Sequence, residues 1–586
     1  MKSVTIKNVK WKLPKITKEH FRTSTLNFLF ILFYINLFQS LFGPENTIVG
    51  VIFTIMMSAS MVRDLTAEPL KHLLIQALVL TWMAAAACLV TILPAPVSFF
   101  INFITIFVIL YAFTYEYSSH LYFPYILSYL FLIFISPADT QQLPKRIVGM
   151  MAGALSIILY QWFMGRKRVL ETARDVLGEM IDEVSLHISY RLKETDKKPD
   201  FSQIRQSLRR LSQTVYDRRK KVLCVSEASF SMIDAGRGLE HLQILIHELP
   251  NELTIQEREF LLTIAGQLKG FRAFLYQEVR DIPPLEVLES PNCEERKTAE
   301  VFNHTMIYIR DRILHMTDPQ NRTHYKRTAL SLKVRLQAAL DLSPVRAIYA
   351  LRTALLLSCA TLLVQIFSLP HGRWFLFTLA SVSLPYADDV PVKIKKRVLA
   401  TMIGGLASVI IYSAIPSPAG RTAAMMLSGY ISFYFSDYLG TFACSTVGAL
   451  GGAVFMNAFG IHAVGSIFII RAGYILAGAA VAYIVNCLIW PYSRARATKQ
   501  LWEKYKAVTD LLSYVCRSDQ TDPQLYYNLV IQAYLQEEKL IQNANLEEWN
   551  ELPLLMVKCQ HQIHQAHRTR IIERANAPVF KSEHLS

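Results

Sequence analysis

The sequence predicts an all-α integral membrane protein with two parallel six-helix transmembrane units, each followed by a helical cytoplasmic region. Three observations carry that expectation. Apolar runs of membrane length recur along the chain, they fall into two clusters of six, and each cluster ends in a basic patch leading into polar, helix-periodic sequence.

Residues 1–22 form a basic tail, with seven Lys or Arg against Glu19 alone, a net +6 within the chain's +15. By the positive-inside rule this tail is cytoplasmic. A basic stretch before an apolar run also resembles a signal peptide, but no small-residue cleavage site follows the run 26–42, so it reads as a retained helix.

The first unit, 23–165, places spans near 25–42, 47–62, 70–91, 96–113, 119–136 and 145–165. The second, 347–491, places them near 347–368, 373–387, 396–415, 421–437, 440–459 and 470–491. The last run is the clearest: 22 residues without formal charge separate Arg471 from Arg494. At about 1.5 Å per residue they cover roughly 33 Å, against a hydrocarbon core of ~30 Å. The composition agrees, being 52% hydrophobic and only 18% charged. Runs this continuous are not the alternating strands of a barrel, so the membrane part is helical.

Six crossings per unit return the chain to the side of its tail. Residues 166–346 and 492–586 are therefore expected in the cytoplasm, entered through Arg166, Lys167 and Arg168 and through Arg494, Arg496 and Lys499. The chain reads as a multi-pass protein of the inner (plasma) membrane with both termini cytoplasmic. Its charge is explained by topology and anionic headgroups, and no nucleic-acid motif is present. Both polar regions place apolar residues three and four apart, as amphipathic helical bundles do.

Several function classes drop out. None of the eight cysteines lies in a Cys-x-x-Cys pair, so neither a zinc ribbon nor a disulfide framework is indicated. His561, His564 and His567 recur at three-residue steps without a carboxylate partner, and no metal site is expected there. Without a Gly-Lys-Ser/Thr there is no P-loop, and no catalytic triad or His-Glu-x-x-His occurs. The chain is expected to be no enzyme and to need no cofactor.

The two halves repeat. RIVGMMAGALSIILY begins at Arg146 and RAGYILAGAAVAYIV at Arg471, with Gly153 and Gly478 at the same offset. An even number of spans per unit makes the repeat parallel, about an axis along the membrane normal, and its interface is where a transport site is expected.

HGRWFLFTLASVSL (371–384), KKRVLATMIGGLASVIIY (395–412) and RAGYILAGAAVAYIVNCLIWP (471–491) resemble the fusaric acid resistance (FUSC) family, which includes aromatic acid exporters. The residues that carry the resemblance are His371, Gly372, Trp374 and Thr378, then Arg397, Thr401, Gly404 and Gly405, then Arg471, Gly478, Trp490 and Pro491. The first unit departs from the pattern, having GPENTI where Trp374 would stand. The resemblance implies two six-helix units with helical cytoplasmic regions and export of small organic, aromatic acids. A passive organic-anion channel similar to the aluminium-activated malate transporters is the alternative, and an envelope structural protein that recruits partners is a third.

Candidate site residues follow from charge in an apolar setting. Arg471, Arg146, Arg373 and Arg421 fall at the expected outer edge, where a guanidinium either grips a carboxylate or snorkels to headgroups. His371 and Trp374 share a helix face and join a titratable group to an aromatic platform. Asp437 and Asp388, with Asp389, Glu116 and Asp64, stand at cytoplasmic span ends, where carboxylates relay protons or pair with bases. Gly404, Gly405, Gly478 and Gly153 are expected to permit close helix packing. The expected partners are a small organic anion and the lipid bilayer, with a periplasmic adaptor protein and a homo-oligomer as further possibilities.

Overall fold

The computed structural model describes residues 18–61, 69–114, 121–165, 168–218, 225–289, 292–318, 320–321, 343–415, 417–435, 437–455, 461–517 and 522–575. Most of the basic tail, Asp64, Glu116, Arg166 and Lys167 lie outside them. Among the described residues every regular element is helical.

The helices sort into two compact units: residues 1–62, 70–159 and 343–494 form one, and 63–69, 160–342 and 495–586 the other. The first unit is apolar. It opens with α1 (Lys18–Phe42), α2 (Thr47–Ser60), α3 (Pro69–Ile92), α4 (Ala95–Phe113), α5 (Tyr122–Phe134) and α6 (Leu143–Gly165). After the polar helices α7 (Arg168–Arg191), α8 (Phe201–Arg218), α9 (Glu227–Glu248), α10 (Ile255–Leu275) and α11 (Cys293–Thr317), the apolar sequence resumes. It forms α12 (Pro344–Ile366), α13 (Arg373–Val382), α14 (Val390–Ala414), α15 (Pro418–Ser432), α16 (Tyr438–Phe455) and α17 (Ile461–Tyr483), which runs on as a π-helical stretch Ile484–Ile489. The chain closes with the polar α18 (Arg494–Arg517), α19 (Pro523–Glu547) and α20 (Leu552–Ala575).

Seven of the described helices are long and apolar enough to cross a bilayer. Four others fall short of the twelve full crossings expected. α2, α5, α13 and α15 have 14, 13, 10 and 15 residues, roughly 15–23 Å at the helical rise, against ~30 Å of hydrocarbon. Local punctuation sets these lengths: Gly43 at positive φ and Pro44 precede α2, and Pro370 with Gly372 precedes α13. On α17, Ile469, Leu476, Leu488 and Ile489 are each more than half exposed. An apolar face of this extent is stable only in an apolar solvent, and the first unit is a membrane protein body.

Within that unit the first helix of each apolar run packs on the fourth helix of the other. α12 lies along α4, where Arg346 donates to the Tyr111 carbonyl at 2.6 Å and its guanidinium stands 4.5 Å from the Tyr111 ring. α1 meets α15, where the Thr25 and Tyr430 hydroxyls share a 2.8 Å hydrogen bond and Phe28 packs edge-on against Tyr430. α13 packs on both α5 and α17.

One expectation is corrected here. Arg471 does not head its span. α17 begins ten residues earlier, at Ile461, and the apolar sequence AVGSIFII ahead of the arginine is part of the same helix. A single charge in a long apolar helix is tolerated when it faces protein, and Arg471 is 6% exposed.

The second unit joins helices from both polar regions. α8 packs on α19, and α20 on α9 and α11. At its centre Glu537, wholly buried, accepts from Arg205 at 2.9 and 3.1 Å, from Arg209 at 3.0 Å and from the Tyr505 hydroxyl at 3.2 Å, while Arg205 reaches Glu240 at 2.9 Å. Burial raises the Glu537 pKa, but Arg205 and Arg209 outweigh it and hold the carboxyl below its ordinary value.

Candidate functional site

The site assembles on α13, α14, α16 and α17. Its apolar body is the cluster of Trp374, Tyr412, Val447, Leu450, Val464 and Ile467. Small residues let the helices close. A Cβ on Gly405 would stand 1.9 Å from the Phe468 ring, one on Gly404 2.4 Å from the Ala443 carbonyl oxygen, and one on Gly478 3.1 Å from the Phe375 carbonyl oxygen and from Thr378. In the first apolar run, Gly153 is pressed likewise against Phe53, at 2.0 Å. None of these positions admits a larger side chain without movement.

Two of the expected site residues meet in the cluster. The Arg471 guanidinium carbon stands 5.2 Å from the Trp374 ring centroid, and the two side chains are buried together. His371 joins them: its ring stacks on Trp374 at 5.0 Å with planes 12° apart. A left-handed backbone at His371, φ 61°, turns the chain into α13 here. Nε and Nη1 of Arg471 have no hydrogen-bond partner among the described residues. The charges that bear most on it are Arg397 and Arg373, both cationic.

Arg146 sits differently. It lies in the first turn of α6, 2% exposed, and is spent on its neighbours. Its Nε donates to Asn46 Oδ1 at 3.0 Å, Nη2 to Ser136 Oγ at 2.8 Å and to the Glu45 carbonyl at 3.2 Å, and Nη1 to the Ser136 carbonyl. Arg421 donates to the Ile415 carbonyl at 2.7 Å.

The carboxylates are engaged with other partners. Asp437 caps α16 by accepting from the Gly440 amide at 3.1 Å. Asp388 accepts from the Arg494 amide at 2.6 Å, and Asp389 pairs with the Arg494 guanidinium at 2.6 Å. Arg494 is thus tied to the loop ahead of α14.

Sequence reasoning passed over Arg352. It is 1% exposed on α12 and donates to the carbonyls of Leu384 at 2.6 Å and Trp490 at 3.0 Å, clasping the end of the π-helical stretch. Its partners are main-chain oxygens, which leave no mark in a sequence.

The arginine, tryptophan and histidine just described fall in one recognisable segment. Residues 359–485 match the family model described as fusaric acid resistance protein-like. The matched segment contains Trp374, Arg397 and Arg471 and excludes Arg146 and Arg352. No curated protein and no solved structure matches the chain.

The polar unit holds His561, His564 and His567. His561 is exposed and bonded to Gln565 at 2.8 Å, His564 faces His241 across α9 with ring centroids 5.2 Å apart, and His567 packs on Tyr308. Burial drives the His241 pKa down to about 3 and the His564 pKa to about 4, helped by each group's cationic surroundings. Among the described residues no group of three or more His, Cys, Asp or Glu side chains is placed to hold a metal ion.

Proposed function

We propose that the chain is a membrane transporter that exports small aromatic carboxylates from the cytoplasm, holding the carboxylate on Arg471 and the ring against Trp374. The carrying observation is the Arg471 guanidinium, buried in a bilayer-spanning helix with two N–H groups unpartnered among the described residues. Placing an arginine at such a depth costs roughly 3 kcal/mol on insertion scales. Stacking on a desolvated ring returns about 2 kcal/mol, and each buried N–H without an acceptor adds about 1–3 kcal/mol of cost. The balance favours an anionic acceptor, and a planar, two-pronged one matches the guanidinium fork.

Further features support the reading. The fusaric acid resistance protein-like match encloses the whole cluster, and the reciprocal packing of first and fourth helices accords with two six-helix sets of like orientation. The short α13 brings a helix that stops well short of a full crossing to the site. In this reading the polar unit and both termini are cytoplasmic.

The test is binding of benzoate to the purified protein, parent against Arg471→Gln, together with counterflow in proteoliposomes. Saturable exchange with weaker binding in the variant is expected. Equal affinity in both proteins overturns the assignment, and flux that follows voltage alone makes the protein a channel.

A further inference from the structure

Arg397 repeats the construction of Arg471 on a neighbouring helix. It is 7% exposed on α14, its guanidinium carbon stands 4.6 Å from the Phe442 ring, and its Nε has no partner among the described residues. No ion pair to Arg397 or Arg471 is formed among the described residues, and of the charges acting on Arg471 Arg397 is the foremost.

Helix geometry places the two cations at neighbouring depths. α14 and α17 pack through Gly405 against Phe468. If they run in opposite directions, as alternate crossings of one unit do, Arg397 lies eight residues before Gly405 and therefore level with a position eight residues after Phe468. Arg471 is five residues from that level, about 8 Å along the axis. Side chains slant toward the N-terminus of their own helix, so the two guanidiniums diverge from that spacing rather than converge. A singly charged benzoate engages one of them and leaves the other buried without a counter-charge among the described residues.

We propose that Arg397 is a second anion-binding residue of the same site, and that the site prefers an aromatic ligand with acceptor groups at both ends, a para-dicarboxylate being the simplest, over a monocarboxylate. One carboxylate lies on Arg471 beside Trp374 and the other on Arg397 beside Phe442. The ring lies among the apolar side chains that separate the two cations. This inference rests on the transport reading of Arg471 and adds the substrate class to it.

The experiment compares terephthalate with benzoate in equilibrium binding to the full-length purified protein. In the parent, terephthalate is expected to bind about ten- to a hundredfold more tightly, the value of one further charge-assisted contact. Arg397→Gln is expected to abolish that preference, so that the two ligands bind alike, and Arg397→Lys to restore part of it. Arg471→Gln weakens both ligands. Equal binding of the two ligands by the parent, or an Arg397→Gln protein that keeps the preference, overturns the inference while Arg471→Gln still upholds the transport site. If Arg471→Gln leaves both affinities intact, the transport reading itself fails. Arg397→Lys covers the case in which the glutamine variant does not fold, because it keeps the charge that α14 is built around.

Discussion

Arg146 and Arg471 stand seven residues ahead of Gly153 and Gly478 in sequences that match, yet one is fully bonded and the other has two unpartnered N–H groups. The difference lies in where each helix begins. Leu143 opens α6 three residues before Arg146, so the side chain reaches the connections at Glu45 and Ser136 and donates to both their carbonyls. Ile461 opens α17 ten residues before Arg471, and the backbone around it is already hydrogen-bonded within the helix. Equal spacing to a glycine thus yields a structural clasp in one place and an open cation in the other.

The sharpest way to break this comparison is to remove the clasp. Arg146→Gln strands the Ser136 carbonyl and the Asn46 amide oxygen in a buried setting and leaves the Glu45 carbonyl to the Ser136 hydroxyl alone, a loss of about 3–5 kcal/mol. Folded yield in detergent and the unliganded melting temperature are expected to fall sharply, and Arg146→Lys to recover little, since an ammonium cannot serve three directions of the fork. A variant that folds as well as the parent but binds anion poorly would move Arg146 into the site.

Arg471→Gln is expected to do the opposite. Anion affinity falls by about 1.5–3 kcal/mol, ten- to a hundredfold, while unliganded stability holds or rises because an unmatched buried charge has gone. Loss of stability comparable to that of Arg146→Gln would make the two arginines equivalent after all.

How far this contrast was legible in the sequence depends on what kind of partner each residue has. Long apolar runs announced the membrane helices, because bilayer thickness sets a length that hydropathy reads directly. The same signal respected the breaks at Gly43–Pro44 and Pro370–Gly372 but counted the short α2 and α13 that follow them as crossings. Trp374 and Arg471 were each conspicuous, but their meeting joins residues 97 positions apart and depends on the packing of α13 on α17. Arg471 itself was read as a boundary, since a charge ends an apolar run on paper even when the helix continues through it. Arg397 drew notice only through the family resemblance, and nothing marked Arg352, whose acceptors are carbonyls of Leu384 and Trp490.

The paired and unpaired contrast recurs in the polar unit, where pH tests it. Glu537 is matched by two arginines, whereas His241 and His564 face each other beside Arg568, and Arg237 and Arg205 act on His564 more strongly than Glu248 does. Both histidines titrate lower in the folded chain than their ordinary value near 6.5, so the unfolded chain takes up protons first as pH falls. Stability is therefore expected to be level with respect to these groups above pH ~6.5. Below it, stability drops by up to ~1.4 kcal/mol per pH unit for each histidine, until the pH nears their folded values. The stabilisation from Glu537 is lost only at lower pH, below the ordinary carboxylate value, because its folded pKa is depressed. Denaturant unfolding of the polar unit within the intact protein, followed from pH 7.5 to 5, is the measurement. A double His241→Gln, His564→Gln variant should show a flatter profile, and an unchanged slope would rule this pair out as its source.

The smallest effect is expected at Arg494, the basic end of the span whose interior holds Arg471. Its Nη2 reaches both carboxylate oxygens of Asp389 at 2.7 and 2.6 Å and its guanidinium lies 5.2 Å from the Tyr386 ring, while its amide is held by Asp388. Asp389 is 40% exposed, so solvent screens the pair and its contribution is discounted to at most about 1 kcal/mol. Arg494→Gln is therefore expected to shift the melting temperature only slightly and to change anion affinity less than twofold. What it removes is a positive charge beside a membrane span, so the fraction of chains inserted in the parent orientation should fall, read by labelling a cysteine near Gly420 with an impermeant thiol reagent. A tenfold loss of affinity in correctly inserted Arg494→Gln protein would extend the anion path from Arg471 to the end of α17 and erase the distinction between the buried cation that binds and the paired cation that anchors.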